Sequence, residues 1–114
     1  MKSDYSIQKF DLKKIVEKIT EPWSPVEVAR VNDFALRAAK FEGAYHWHAH
    51  GNSDELFVVF RGRIKIQVGS GEIILGEGEG AVIPRGVAHC PVALEPSVVL
   101  MFEPKEMDSS KVEF

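Results

Sequence analysis

The four histidines of the chain fall in two places: His46, His48 and His50 in the run YHWHAH (45–50), and His89 after the turn sequence Pro84-Arg85-Gly86. Glu55 follows the first cluster across Gly51-Asn52-Ser53-Asp54. Imidazole nitrogen and carboxylate oxygen together suit a borderline divalent ion such as Mn, Fe, Co, Ni or Zn. In a strand, side chains i and i+2 leave the same face, so His48 and His50 project together with Cα atoms about 7 Å apart. Glu55 stands at an odd offset from His50 and would face away in an unbroken strand. Gly51–Asp54 is turn chemistry, which can reset the parity and bring Glu55 inward. His89 must then arrive from a neighbouring strand. The alternative, ordinary packed histidines, is disfavoured because several buried imidazoles and a carboxylate without partners are costly to desolvate. A metal held this way needs neutral imidazoles and an ionised carboxylate, so affinity should fall below about pH 6.

Those residues need a scaffold. From Val26 onward the chain reads as short β-rich runs, VEVARV (26–31), FALRAAKF (34–41), YHWH (45–48), ELFVVF (55–60), IKIQV (64–68), EIIL (72–75), AVI (81–83), VAHCPVAL (87–94) and VVLMF (98–102), punctuated by glycines. Many short strands at regular spacing indicate an all-β sandwich or barrel. Gly69-Ser70-Gly71 reads as a hairpin tip. Before them, DLKKIVEKIT (11–20) places Leu12, Ile15, Val16 and Ile19 at helical spacing, with Asp11 as N-cap and Pro22 and Pro25 beyond its end. The expected division is a helical segment 1–25, a barrel 26–104 and a polar, loosely held tail 105–114. In 55–60 both faces are apolar, Phe57 and Val59 on one and Leu56, Val58 and Phe60 on the other. Something must cover the outer face. The helix would cover part and a second subunit the rest, hence an expected homodimer.

Composition narrows the function. A chain of 114 residues is one domain by length. The net charge of −3 and the lack of a Lys/Arg run argue against nucleic acid. No apolar stretch approaches the roughly 18 residues of a membrane span, and MKSDYSIQKF has no apolar signal core. The single cysteine, Cys90, excludes an intrachain disulfide and is expected as a small core residue. These points lead to an expectation of a cytoplasmic protein. The run Gly76-Glu77-Gly78-Glu79-Gly80 is not a phosphate loop: a strand rather than a helix follows it, and two glutamates would repel an anion.

The spacings resemble those of the cupins. The first cupin motif has two histidines one residue apart, a Glu and then a Gly, matched by His48, His50, Glu55 and Gly62; its leading glycine would fall at Glu42, with Gly43 one position late. The second is matched by Gly78, Pro84, Gly86 and His89, while its final Asn would fall at Ala93. The resemblance covers roughly residues 43–93. It implies a double-stranded β-helix, or jelly-roll barrel, with a short N-terminal α-helix. It also implies one divalent metal ion on His48, His50, Glu55 and His89. The surrounding sequence resembles a small single-domain bacterial and archaeal subgroup without assigned function. Three imidazoles and one carboxylate leave two positions of a six-coordinate ion for water or substrate. Two activities would use them: a dioxygenase, or an isomerase stabilising an enediolate of a small organic acid or sugar derivative. The competing class is a non-catalytic module that binds a small metabolite. His46, on the same face as His48 and His50 in a continuous strand, is expected to line the pocket with Phe57 and contact the small-molecule ligand. Arg85 is expected in solvent, and loops 32–44 and 95–104 are expected to shape the pocket.

Overall fold

The computed structural model describes residues 7–113; Met1–Ser6, part of the stretch read above for a signal core, and Phe114 lie outside them. Helix α1 (Leu12–Glu17) begins where Asp11 accepts a hydrogen bond from the Lys14 amide at 3.2 Å. Such a cap satisfies an amide that has no partner within the helix. Ten strands follow: β1 (Val26–Val31), β2 (Phe34–Phe41), β3 (His48–Ala49), β4 (Glu55–Arg61), β5 (Arg63–Val68), β6 (Gly71–Gly76), β7 (Gly80–Ile83), β8 (His89–Ala93), β9 (Ser97–Pro104) and β10 (Ser110–Lys111). They pair into two five-stranded sheets, in the orders β1-β2-β9-β4-β7 and β10-β3-β8-β5-β6. The expected all-β architecture with a short N-terminal helix is the one observed.

The strands are amphipathic with period two, and that period builds the core. In β4, Glu55, Phe57 and Val59 are buried while Leu56 is exposed; in β9, Ser97, Val99, Met101 and Glu103 turn inward. Ile64 and Ile66 of β5 meet them from the other sheet. Burying a side chain such as Phe57 contributes about 1.5–3 kcal/mol through apolar surface removed from water. The parity that buries Phe57 and Val59 also commits Glu55 to the interior, so one register decides both core and site. Gly62, between β4 and β5, has φ +96°, and a Cβ there would collide with the Ser97 side chain. That side chain ties the corner, accepting from the Arg63 amide at 2.9 Å.

On the outer face of the first sheet, Val16 and Ile19 of the helical segment share a crevice with Lys40, Arg61 and Val98. The rest of that face carries a cross-strand row, Leu36–Phe102–Leu56–Val82, of which Leu56 and Val82 are exposed. The final stretch departs from the loose tail expected of it. It returns along the second sheet, where Ser110 and Lys111 pair with Ala49 and His48 and the Val112 amide donates to the Trp47 carbonyl. Among the described residues no helix is long and apolar enough to cross a membrane.

Candidate metal centre

Strand pairing delivers the histidines. His48 of β3 sits directly opposite His89 of β8 in antiparallel register, and their ring centroids are 4.2 Å apart. His50 follows two residues on, its ring 4.9 Å from that of His48. The turn after it is locked to the turn before β8: the Gly86 amide donates to the His50 carbonyl at 2.7 Å, and the Arg85 amide to Asp54 Oδ1 at 2.8 Å. The chain then crosses to the other sheet, where Glu55 opens β4 facing inward. His48, His50, Glu55 and His89 are all buried, and each offers a ligand atom within 4.8 Å of the others.

The hydrogen bonds fix which atoms are offered. The Nδ1 atoms of His48, His50 and His89 each lie 3.0 Å from a main-chain carbonyl, of His46, Asp108 and Val87 respectively. A carbonyl oxygen can only accept, so each Nδ1 carries the proton and each neutral ring presents its Nε2 lone pair. His50 Nε2, His89 Nε2 and Glu55 Oε1 are buried and have no hydrogen-bond partner. Unsatisfied buried polar atoms are rare, and a missing ion is one of the few accounts of them. Backbone carbonyls orienting Nε2 toward one point are the usual outer support of metal-binding histidines. The donor set fits a divalent ion.

Electrostatics follow from burial and crowding. Desolvation, aided by the neighbouring His89 and His50, lowers the His48 pKa to about 4. For His50 burial acts the same way, yet the Glu55 carboxylate, 3.1 Å from Nε2, outweighs it and raises the pKa. Burial alone would raise Glu55, but contacts with His50 and His89 bring it down to about 2. Without a metal, therefore, His50 competes with itself: its Nε2 is both the ligand atom and the site that takes a proton opposite Glu55.

A cavity of about 380 Å³ opens over these atoms. Its walls include Trp23, Phe41, Tyr45, Phe57, Met101 and Met107. The segments expected to shape the pocket do so as strands, with Arg37, Ala39 and Phe41 from β2 and Met101 and Glu103 from β9. His46 differs. The strand begins only at His48, because Gly43 takes φ +69° and the Tyr45 amide is held by the Pro91 carbonyl at 3.0 Å. The His46 ring is exposed and stacks on Tyr45 at 3.9 Å; its carbonyl, rather than its imidazole, serves the site. Arg85 is exposed and Cys90 is buried, its thiol pKa raised by burial.

Four contributors lie outside the residues singled out from sequence. Glu103 is buried near Glu55; burial and the Glu55 charge raise its pKa to about 7, against the pull of Arg37, whose Nη1 lies 3.6 Å away. Alternation in VVLMFE (98–103) places it with Met101 and could have found it. Arg37 shares the parity of Ala39 and Phe41. Asp108 gave no signal in a polar tail. Trp23 adopts φ +59°, a left-handed conformation that costs a bulky residue about 1–2 kcal/mol. It is held there by two bonds, from its amide to the Lys40 carbonyl (2.8 Å) and from its indole Nε1 to the Glu42 carbonyl (3.0 Å).

Residues 38–103 match the family described as Cupin domain. The uncharacterized protein YdbB of Bacillus subtilis is 32% identical over 104 residues, 90% of this chain and 92% of that protein. A cupin-2 domain containing protein of Shewanella frigidimarina superposes with a TM-score of 0.82 at 35% identity, covering 83% of this chain and 93% of the other. A hydroquinone 1,2-dioxygenase, PnpCD, solved with Cd2+ and 4-hydroxybenzonitrile, superposes with a TM-score of 0.74 at 17% identity, covering 93% of this chain and 81% of the other; that likeness is one of fold.

Proposed function

The chain belongs to the cupin-domain family, and from that premise we propose that it binds one divalent metal ion and presents that ion to a small oxygen-bearing organic molecule. The ligands in this reading are Nε2 of His48, His50 and His89 and Oε1 of Glu55. The observation that carries it is the common fate of the three Nδ1 protons. Each is spent on a carbonyl, which turns the other nitrogens toward the site, where those of His50 and His89 are buried without a partner beside the Glu55 carboxylate.

When bound, a divalent ion with open positions would act as a Lewis acid toward the ligand's oxygen atoms. The protein's own residues do the rest. The carbonyls of His46, Val87 and Asp108 hold the rings in their tautomers. Phe57, Phe41 and the two methionines keep water from the floor of the cavity, and below about pH 7 Glu103 holds a proton beside Glu55. Such a site would serve a dioxygenase acting on a small organic acid or related compound, or an isomerase passing through an enediolate. The same pocket without turnover would be a metabolite-binding module.

Elemental analysis of natively purified protein tests the metal: near-stoichiometric metal is expected in the wild type and little in His48→Ala. Equal metal in both would overturn the ligand assignment. Oxygen uptake by the metal-loaded protein with diketones, catechols and thiols separates the activities. A protein that turns over none of them, and releases a co-purified small acid on denaturation, is the binding module.

A further inference from the structure

The walls of the cavity say which small molecules suit the ion at its floor. From mouth to floor they form a series of touching rings. Trp23 lies 4.3 Å from Phe41 and 4.8 Å from Tyr45, Phe41 lies 6.1 Å from Phe57, and Phe57 lies 6.2 Å from His89. Ring pairs at these separations are attractive in tilted and edge-on geometry, and they make a stiff, flat-sided wall. Met101 and Met107 add soft apolar surface that moulds to a neighbour.

Two large polar groups of the walls are engaged. The Trp23 Nε1 donates to the Glu42 carbonyl, so the indole presents its π-surface. Arg37 is occupied by Glu103 at 3.6 Å and by the Lys105 carbonyl at 2.6 Å. A polyhydroxylated ligand would lose its hydrogen bonds to water along these walls and regain few of them. A flat ligand whose oxygen atoms all lie at one end would lose nothing there and would reach the ion with that end.

Resting on the metal reading above, we infer that the ligand is a planar, apolar-bodied molecule with adjacent oxygen donors at one edge, of the catechol or enolised-diketone kind rather than a sugar, and that Trp23 sets this preference. The backbone conformation of Trp23 supports the assignment. A bulky side chain is held at φ +59° by two specific hydrogen bonds, and the result of that strain is a half-buried indole in the cavity wall.

The test uses full-length protein loaded with Co2+, with loading measured first by elemental analysis. Binding of 4-nitrocatechol is followed by its visible absorption; oxalate, which offers two oxygens and no flat body, and glucose 6-phosphate are measured as competitors. The expected order is 4-nitrocatechol tightest, oxalate weaker and glucose 6-phosphate weakest. Trp23→Ala should bind 4-nitrocatechol about tenfold less well, as loss of a stacking surface implies, with oxalate affinity and Co2+ content unchanged. Trp23→Phe, which keeps a ring, should lie between. If Trp23→Ala does not fold, the order in the wild type and the Trp23→Phe value decide. Tighter binding of glucose 6-phosphate than of 4-nitrocatechol, or equal loss of oxalate and 4-nitrocatechol in the variants, overturns the inference and leaves the metal reading standing. Failure of the wild type to retain Co2+ overturns the metal reading and this inference with it.

Discussion

The Nδ1 of His50 donates to the carbonyl of Asp108, 58 residues further along the chain, at 3.0 Å. A histidine of the candidate metal site is thereby oriented by residues near the end of the described chain. Asn52 holds that stretch in place from the turn beside His50: its Oδ1 accepts from the Asp108 amide and its Nδ2 donates to the Glu106 carbonyl, both at 3.0 Å. Asn52→Ala removes both bonds without touching a ligand atom. Outer contacts of this kind change metal affinity by about 10–100-fold when lost. The expected result is a drop in that range in competition with a chromogenic chelator, with the strands intact by circular dichroism. Unchanged affinity would show that the strap does not position His50.

Removing the metal should loosen the whole domain, because the ligands come from both sheets. His48, His50 and His89 lie on or beside β3 and β8, and Glu55 opens β4 across the core. An ion that binds the folded state alone stabilises it by about 2.7 kcal/mol when present at a hundredfold excess over its Kd. Chelation should lower the thermal midpoint, and re-addition of the metal should restore it. In His89→Ala the midpoint should be insensitive to both treatments; a midpoint that still rises with metal in this variant would remove His89 from the ligand set.

The cluster of His48, His50, Glu55 and His89 could be read from the chain, and for its first three members the information is local. His48 and His50 share a face by the pleat, and a four-residue turn resets the parity for Glu55. The strands were legible for the same reason, as was the helix with its Asp11 cap. What escaped is set by distance in space. Glu103 belongs to the site only because β9 lies beside β4, and Asp108 only because β10 pairs with β3. His46 was placed with the other histidines by assuming an unbroken strand, and Gly43 and Tyr45 bend the chain away before His48. Trp23 sits in a segment whose prolines spoke only of a helix ending; its left-handed backbone leaves no mark in the sequence pattern.

Acid should weaken metal binding mainly through His50. Its pKa is raised above 6.5 by Glu55, so below that raised value the ion must displace a proton from the same Nε2 it needs. His48, with a pKa of about 4, is already neutral and Glu55, at about 2, already ionised, so neither competes near neutral pH. Calorimetry at pH 6 in two buffers of different ionisation enthalpy should report proton release on ion binding that falls as pH rises past the His50 pKa. Absence of proton release at pH 6 would contradict the raised pKa of His50.

Glu103 should make the metal-free protein less stable as pH rises. Burial and the adjacent Glu55 charge raise its pKa from 4.5 to about 7, so the folded state binds this proton more tightly than the unfolded chain does. The resulting stabilisation is complete below the unfolded value, declines between about pH 4.5 and 7, and is lost above that range. With each pKa unit equivalent to about 1.4 kcal/mol, the swing is on the order of 2 kcal/mol after allowance for solvent access. Glu103→Gln keeps a neutral, hydrogen-bonding side chain beside Glu55 at every pH and has no charge to bury. Urea unfolding in the presence of chelator should find the variant gaining on the wild type from pH 5 to pH 8 by about that amount. A stability difference that stays flat across this range, or that shifts toward the wild type as pH rises, would mean that Arg37 neutralises Glu103 and that the carboxylate is at home in the cavity wall.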